Sequence, residues 1–219
     1  MILETRELAE KDFETEINLK DGEIAKCSGE ETKVPQRYAK YIDKVLISEQ
    51  ALKKRIYCLA KEIAQAYKAN DTLVCLVVLN GAVMLFPELA LALYKNNGPQ
   101  VELETFGISS YIGTKTSGQL TITKDIVQNL KGKKVLIIED ILDTGLTMVK
   151  ILEYLTKVKD VKDVKICSLV DKPERRKVKI KADFKGFTIP NEYVIGYGFD
   201  YNQKFRNLPF VAVLKKEYF

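Results

Sequence analysis

Histidine is absent from the 219-residue chain, and its absence narrows the chemistry available to the protein. Without histidine there is no Ser-His or Cys-His nucleophile and no histidine-ligated metal site. The four cysteines form no Cys-x-x-Cys pair, and Cys75 and Cys167 fall within apolar segments, where we expect buried thiols in a reducing compartment. Any bound metal is therefore expected to be a hard cation held by carboxylate oxygens, such as Mg²⁺.

Long apolar runs are also absent, so no segment has the eighteen or more residues of a membrane-spanning helix. The acidic start MILETRELAEKDFETEI does not resemble a signal peptide, and we expect a cytoplasmic protein. The net charge of +5 is modest, and the densest basic run covers residues 171–187. That run fits either a nucleic-acid patch or a solvated strand and turn. The lack of interleaved aromatic residues favours the second interpretation, and no nucleic-acid or membrane partner is expected.

Apolar segments alternate with amphipathic ones along most of the chain. Residues 1–36 form a charged extension, and residues 37–219 suit one domain with a proper core. Strands are predicted at 73–79, 101–108, 133–138, 165–170, 193–199 and 211–214. Helices are predicted after an N-cap at Ser48, over 82–96 and from 146 onward. This alternation predicts an α/β fold with a mainly parallel sheet flanked by helices.

The most informative segment is VLIIEDILDTGLTM, at residues 135–148. A buried strand ends at Glu139 and Asp140, and Asp143 follows immediately before Thr-Gly-x-Thr. Ligands of open parallel sheets bind beyond the carboxyl ends of the strands. Free backbone N–H groups at the start of the next helix predict a phosphate site at the turn formed by Thr144, Gly145, Leu146 and Thr147.

The three carboxylates need a partner other than the phosphate. Two carboxylates about 6 Å apart repel each other by roughly 3 kcal/mol at an effective dielectric constant of 20. Sugar hydroxyls, a divalent cation or a cation formed during reaction would each offset this repulsion. A ribose 5-phosphate satisfies both halves of the motif, because its phosphate fits the turn and its hydroxyls fit Glu139 and Asp140. Nearby anions would also stabilise an oxocarbenium-like transition state.

This motif resembles the phosphoribosyl diphosphate signature of type I phosphoribosyltransferases, and more narrowly of the hypoxanthine-guanine members. The resemblance runs in one order from about Val34-Pro35 to Leu214, through VLISEQ, VVLNGAVM, SSYIG, SLVDKPERR and GFTIPNEYVIGYGFDYNQKFRNLP. It implies a small hood lobe built from the N-terminal part and about residues 171–219. It also implies purine salvage: hypoxanthine or guanine displaces pyrophosphate from 5-phosphoribosyl 1-diphosphate, giving IMP or GMP.

The resemblance assigns roles to particular residues. Asp143 would be the general base at N7 of the purine. Lys172 would donate to the exocyclic oxygen and so exclude adenine, whose amino group is itself a donor. Tyr193 would stack on the base, and the backbone of Val194 would contact its far edge. The pyrophosphate would be bound by Leu79, Asn80, Gly81, Ser110, Tyr111 and Arg206. The Mg²⁺ ligands would be Asp200, Glu139 and Asp140.

The roles implied at Leu79-Asn80, at Leu146 and in the segment 109–123 depend on the backbone and on the loops. In the family, the dipeptide matching Leu79-Asn80 can adopt a cis bond that presents a backbone N–H to pyrophosphate. Many relatives have lysine where this chain has Asn80, and lysine or arginine where it has Leu146, so only backbone roles carry over at those positions. The polar segment 109–123 would be a lid that excludes water from the reacting carbon.

Other interpretations remain open at this stage. Lys172 and Arg206 also fit surface residues, with Arg206 paired with Asp200 or with a C-terminal glutamate. Tyr193 fits core packing, and Asp200 fits a turn. The whole chain also fits a relative with a shifted base range, such as xanthine, or a non-catalytic regulator that binds nucleotides or RNA. The presence of Asp143 beside the full signature favours the enzyme. A homodimer or homotetramer is expected from the resemblance alone.

Overall fold

The computed structural model describes residues 4–20, 23–109 and 121–219. The strands are β1 (Glu4–Leu8), β2 (Ile17–Asn18), β3 (Glu23–Cys27), β4 (Ile42–Ile47), β5 (Thr72–Leu79), β6 (Gln100–Ser109), β7 (Thr121–Lys124), β8 (Lys134–Leu142), β9 (Asp163–Asp171), β10 (Phe184–Thr188), β11 (Val194–Ile195) and β12 (Val211–Leu214). The α-helices are α1 (Gln36–Ala39), α2 (Glu49–Ala66), α3 (Leu85–Lys95) and α4 (Leu146–Lys157).

Seven strands form the main sheet, in the order β2-β10-β9-β8-β5-β6-β7. Every neighbouring pair is parallel except β6 with β7, which is antiparallel. β5, β8 and β9 lie side by side in the middle, as their continuous apolar runs require, because a parallel strand is covered on both faces. The predicted α/β fold with a mainly parallel sheet is confirmed.

The two faces of the main sheet are covered by different helices. Along β5, Leu73, Cys75 and Val77 belong to the cluster that contains the buried face of α2 and α3. The alternate residues Val74, Leu76 and Val78 belong to a second cluster, which contains the buried face of α4. This division follows from the two-residue period of a strand. The sheet is therefore fixed from both sides, and its strand ends are held in register.

The smaller sheet, which we call the hood sheet, has five strands in the order β1-β3-β4-β12-β11. β4 pairs antiparallel with β12, and β12 pairs antiparallel with β11, so segments from both ends of the sequence meet there. The charged N-terminal segment joins both sheets, because β1 and β3 enter the hood sheet while β2 pairs with β10 of the main sheet. Its connection is fixed by Arg55 of α2, a fully buried side chain that donates to the carbonyl of Phe13 at 2.9 Å.

The predicted helices are present with the expected buried faces. Ser48 caps α2 by accepting a hydrogen bond from the N–H of Ala51 at 3.2 Å. The buried positions of α2 include Leu52, Ile56, Leu59 and Ile63, and those of α4 include Met148, Ile151 and Leu155. All four cysteines are free thiols, and Cys75 and Cys167 are buried as predicted. No helix in the described part of the chain is long and apolar enough to cross a membrane.

Two predictions about local structure were wrong. The apolar run 193–199 is not one strand: only Val194–Ile195 is extended, and the chain then turns through Gly196, Tyr197 and Gly198 at positive φ. The run is apolar because it is buried in a tight turn, not because it lies in a sheet. Part of the predicted loop 109–123 is strand, since β6 continues to Ser109 and β7 begins at Thr121; residues 110–120 lie outside the described residues.

Candidate active site

The carboxyl ends of β8 and β9 carry the acidic signature and the predicted base-recognition lysine to the same edge of the main sheet. In the register of these two strands Glu139 is opposite Ser168, and Leu142 is opposite Asp171. The backbone N–H of Lys172 donates to the carbonyl of Leu142 at 3.1 Å. The signature and Lys172 are far apart in the sequence, but one backbone hydrogen bond joins them at the edge where parallel sheets bind ligands.

The turn from Thr144 to Thr147 leads from β8 into α4. Gly145 is the N-cap and has a φ of 80°, a conformation that favours glycine. A Cβ built there would lie 2.6 Å from Ile180 Cγ2 and 2.9 Å from Val178 Cγ2, so a larger residue has no space. Leu146 is exposed, and Thr144 and Thr147 are half-buried. The first N–H groups of α4 are thus presented at the turn, as an anion site requires.

Glu139 and Asp140 are two half-buried carboxylates in adjacent positions at the end of β8. Burial, followed by repulsion from Asp140, raises the pKa of Glu139 well above its usual value. Burial also raises the pKa of Asp140 to about 6, although the N–H of Ile141 and the charge of Arg206 oppose the rise. In the described part of the chain, Glu139 Oε2 is buried and has no hydrogen-bond partner. Glu139 Oε2 therefore lacks a donor, and a ligand with hydroxyl groups or a cation would satisfy it.

The loop after β5 passes directly beside Asp140. The Leu79–Asn80 peptide bond is cis, and Gly81 follows it. A Cβ on Gly81 would lie 1.7 Å from Asp140 Oδ2, and one on Gly198 would lie 2.0 Å from the carbonyl oxygen of Gly81. A larger residue at Gly198 would collide with the backbone of Gly81, and one at Gly81 would displace the Asp140 carboxylate.

Asp143, like Asp140, lines the open cleft. Its Oδ1 accepts a hydrogen bond from Arg175 Nε at 2.7 Å, and both side chains are more than one-third exposed. The neighbouring Arg176 is more buried and donates to the carbonyls of Leu142 and Asp143, while its other nitrogen pairs with Asp171. Arg176 therefore fixes the backbone that carries Asp143, and Arg175 binds its carboxylate.

A cleft of about 1330 Å³ lies between the main sheet and the hood sheet. The predicted site residues that line it are Asp140, Asp143, Lys172, Tyr193, Val194 and Asp200. Lys172 is only 7% exposed, which excludes a surface lysine, and burial lowers the pKa of its ammonium group. Tyr193 is 38% exposed, which excludes simple core packing; its ring stacks on that of Phe219 with centroids 4.7 Å apart.

Asp200 and Arg206 form an ion pair beside this cleft. Arg206 Nη2 lies 2.7 Å from Asp200 Oδ1, and Arg206 Nη1 donates to the carbonyl of Gly198 at 2.6 Å. Asp200 Oδ2 accepts from the N–H of Gln203 at 2.8 Å, so the aspartate also stabilises a turn. Arg206 lines a second, smaller pocket of about 570 Å³ with Tyr38, Tyr41 and Phe205, not the cleft that contains Asp143.

The remaining predicted residues fall into two groups. The first group lies at the sheet edge or in the loops just described, outside the lining of the large cleft, and contains Glu139, Thr144, Gly145, Leu146, Thr147, Leu79, Asn80 and Gly81. Ser110 and Tyr111 lie outside the described residues. Within residues 4–20, 23–109 and 121–219, no group of three or more Cys, Asp or Glu side chains is arranged to hold a metal ion alone.

Sequence reasoning missed Arg175, Arg176, Lys44 and Glu192. The two arginines belong to the basic run 171–187, which was interpreted as a solvated strand and turn. Lys177, Lys179 and Lys181 are exposed and alternate with half-buried residues, as that interpretation expects, but they lie in no strand, because β10 begins only at Phe184. No sequence signal separated the arginines from these lysines. The contacts of the arginines depend on β8 and β9 being neighbours.

Comparisons with known proteins agree with this geometry. The family model "Phosphoribosyl transferase domain" matches residues 45–202. Hypoxanthine-guanine phosphoribosyltransferase of Bacillus subtilis is 41% identical over 175 residues, covering 80% of this chain and 94% of that protein. Hypoxanthine-guanine-xanthine phosphoribosyltransferase of Tritrichomonas foetus is 41% identical over 177 residues, covering 80% of this chain and 93% of that protein.

A crystal structure of a hypoxanthine phosphoribosyltransferase from Staphylococcus aureus superposes with a TM-score of 0.76 at 35% identity, covering 84% of this chain and 98% of that one. The chain spans 26% of the length of the bifunctional TilS/HprT proteins of Listeria that it also matches.

These similarities, with the acidic signature at the sheet edge, define the class: the chain belongs to the phosphoribosyltransferase family. The narrower resemblance to its hypoxanthine-guanine members, inferred from the order of motifs, is confirmed by the relatives named above. The comparisons therefore support a phosphoribosyltransferase domain similar to those of the hypoxanthine-guanine type.

Proposed function

We propose that this protein transfers the 5-phosphoribosyl group from 5-phosphoribosyl 1-diphosphate to N9 of hypoxanthine or guanine. The bond from C1′ to N9 forms, the bond from C1′ to the diphosphate oxygen breaks, and the proton leaving N7 passes to Asp143. The observation that carries the proposal is the position of Asp143 and Lys172 in one cleft, next to the Glu139–Asp140 pair. That arrangement offers a proton acceptor, a cation for the exocyclic oxygen and acceptors for ribose hydroxyls.

The phosphate and ribose would bind at the sheet edge. The N–H groups at the start of α4 and the hydroxyls of Thr144 and Thr147 would bind the 5′-phosphate. The ribose hydroxyls would donate to Glu139 and Asp140, and Glu139 Oε2 lacks a donor in the free protein. Keeping these two carboxylates ionised next to C1′ would also stabilise positive charge that develops when the diphosphate leaves.

The purine would lie in the large cleft between Lys172 and Tyr193. The Lys172 ammonium group has three N–H bonds, of which one donates to the carbonyl of Glu192 at 2.5 Å. A second would donate to O6 of a 6-oxopurine, whereas adenine would present its amino group to the same donor. Tyr193 offers an accessible ring for stacking, and the backbone of Val194, which lines the same cleft, would contact the far edge of the base.

The leaving pyrophosphate would bind on the other side of C1′. Gly81 lies against Asp140, and the loop of Leu79, Asn80 and Gly81 would present backbone N–H groups to the pyrophosphate. Arg206 would reach the pyrophosphate by leaving its pair with Asp200. Ser110 and Tyr111 would complete this part of the site as a lid.

The donor set fits Mg²⁺, because its acceptors are carboxylate oxygens and one of them is buried without a partner. Mg²⁺ commonly uses one or two carboxylates plus substrate phosphates and water, so the lack of a three-residue cage in the described residues is consistent with it. Glu139 and Asp140 would hold one ion through the ribose side, and Asp200 would hold another. Bound Mg²⁺ would neutralise charge on the diphosphate.

A second candidate is the same reaction with a wider base range. It is favoured by the similarity to the Tritrichomonas foetus protein, whose name includes xanthine. The test is an assay of initial rates with hypoxanthine, guanine, xanthine and adenine, each with 5-phosphoribosyl 1-diphosphate and Mg²⁺. We expect turnover with hypoxanthine and guanine and little with adenine. Comparable rates with xanthine would establish the wider base range. If no base gave turnover, the remaining interpretation would be a non-catalytic regulator that binds nucleotides.

The domain organisation and assembly belong to the same proposal. We take residues 37–219 as the catalytic domain and residues 1–36 as an extension, with β1, β3, β4, β11 and β12 forming the hood. Residues 4–27 contribute strands to both sheets, which supports an extension that folds with the domain. A cytoplasmic homodimer or homotetramer is the expected form, and sedimentation at micromolar concentration would test it.

A further inference from the structure

Lys44 is a cationic side chain on β4 that is almost fully buried, with 7% of its side chain exposed. Its Nζ lies 3.0 Å from Glu192 Oε1, and the Glu192 side chain is 21% exposed. A lysine is rarely buried to this extent unless it is paired, because the ammonium group loses its hydration. Both residues line the large cleft that contains Asp143.

Glu192 connects this ion pair to Lys172. The carbonyl oxygen of Glu192 accepts a hydrogen bond from Lys172 Nζ at 2.5 Å. The backbone on either side is also held: the N–H of Glu192 donates to the carbonyl of Pro190 at 2.8 Å, and the carbonyl of Tyr193 accepts from the N–H of Leu214 at 2.9 Å. The side chain of Glu192 pairs with Lys44 and so links this segment directly to β4.

The register of the hood sheet places Lys44 in line with another base-contacting residue. Val194 is opposite Val213 in the pairing of β11 with β12, and Val213 is opposite Lys44 in the pairing of β12 with β4. One row across three strands therefore joins Lys44 to the residue whose backbone would contact the edge of the purine. A displacement of Lys44 would be transmitted to both sides of the base.

From these contacts we infer that Lys44 and Glu192 are a positioning pair, which directs the Lys172 ammonium group at the exocyclic oxygen of the purine. The inference rests on the proposed function and adds to it two residues that do not touch the substrate. One N–H of Lys172 is fixed on the Glu192 carbonyl, so the directions of the other two are defined. Releasing Glu192 lets that carbonyl and the ammonium group rotate away from the oxygen.

The test is a steady-state comparison of wild type with Lys44→Met and Glu192→Gln, which remove the ion pair while keeping side-chain length. We expect the KM for hypoxanthine to rise about tenfold or more in each variant, because misplacing a recognition group by a fraction of an ångström carries such a penalty. The KM for 5-phosphoribosyl 1-diphosphate should stay within about twofold. A purely structural role would change both KM values or only the melting temperature.

Two further variants sharpen the test. Lys134→Met removes a more exposed ion pair, with Asp71 at 2.6 Å, at the start of β8 and away from the cleft lining, and should leave both KM values unchanged. Lys44→Arg keeps the charge and should recover most of the affinity for hypoxanthine. The double variant Lys44→Met/Glu192→Gln should lose no more than either single variant, because both remove one interaction.

The positioning role would be overturned if the folded variants Lys44→Met and Glu192→Gln had an unchanged KM for hypoxanthine. It would also be overturned if the losses of hypoxanthine affinity added in the double variant. If Lys44→Met fails to fold, as judged by circular dichroism, Glu192→Gln decides alone. Wild-type protein without turnover on any 6-oxopurine would instead refute the proposed function, so the two failures are distinguishable.

Discussion

Replacing Asp143 with asparagine tests the assignment of the general base. The substitution keeps the size of the side chain and an oxygen that can accept from Arg175, but it removes the group that takes the proton from N7. General acid–base catalysis contributes about 10²- to 10⁴-fold to a rate, so the barrier should rise by about 3–5 kcal/mol. The expected result is a fall in kcat of that size.

The ion pair with Arg175 does not change this expectation. Arg175 Nε and Asp143 Oδ1 are 2.7 Å apart, but the side chains are 44% and 37% exposed. Exposed pairs of this kind contribute about 0.2–1 kcal/mol, so breaking the pair to admit the base changes the rate by at most about fivefold. Arg175→Gln should therefore alter kcat far less than Asp143→Asn does.

The assay is the initial rate of nucleotide formation from hypoxanthine, with the binding of GMP measured by calorimetry on the same preparations. Binding of GMP should remain within about threefold, because Asp143 is one contact among many. Asp125→Asn is the matched control: this aspartate accepts from Tyr154 at 2.6 Å, outside the cleft lining, and its loss should leave kcat unchanged. If kcat of Asp143→Asn stays within threefold of wild type, the carboxylate is not the base.

Three other predictions concern stability and the approach of backbone segments. Arg55→Met should lower the free energy of unfolding by about 3–5 kcal/mol in a urea titration, because Arg55 is fully buried and its loss leaves the Glu62 carboxylate and three carbonyls without their donor. Gly81→Ala should reduce kcat/KM by at least about 100-fold while the protein stays folded, since the new Cβ would displace the Asp140 carboxylate; near-normal kcat/KM would contradict the contact. Glu104→Gln should lower Tm most near neutral pH. Burial alone would raise the pKa of Glu104, but backbone N–H donors and the Lys124 ammonium group outweigh burial and hold the pKa below 4.5. The carboxylate therefore stabilises the folded protein above that pH, and this stabilisation is lost as the pH falls. A Tm difference that does not shrink in acid would refute this reasoning.

The strands that could be predicted from the sequence are those with a continuous apolar run, which is typical of a strand buried on both faces. The runs at 73–79, 133–138 and 165–170 became β5, β8 and β9, whose central residues are covered on both faces and are therefore mostly apolar. β4 and β10 were not identified, because charged or glycine residues interrupt their apolar pattern. Their pairing depends on the strands beside them, which a local pattern does not contain.

The tight turn at 196–198 illustrates the same limit. Its residues are buried and apolar, which from the sequence alone indicates a strand. Gly196 and Gly198 instead adopt φ values of 94° and 102°, and Gly198 contacts the backbone of Gly81. The approach of two loops far apart in the sequence decided this conformation.

The sequence by itself determined the chemistry: an acidic strand end, a glycine turn at a helix start, and a lysine after a neighbouring strand, in an order shared with one family. These are local features, because a helix start and a strand end are specified by a few adjacent residues. Only the tertiary structure decided that Arg175 binds Asp143, that Arg206 pairs with Asp200, and that Lys44 reaches Lys172 through Glu192. The contacts of Asp143 and Lys172 join segments brought together by the folded sheets, and that of Asp200 depends on the fold of one loop. Ionisable side chains take their partners by distance and burial once this structure has formed.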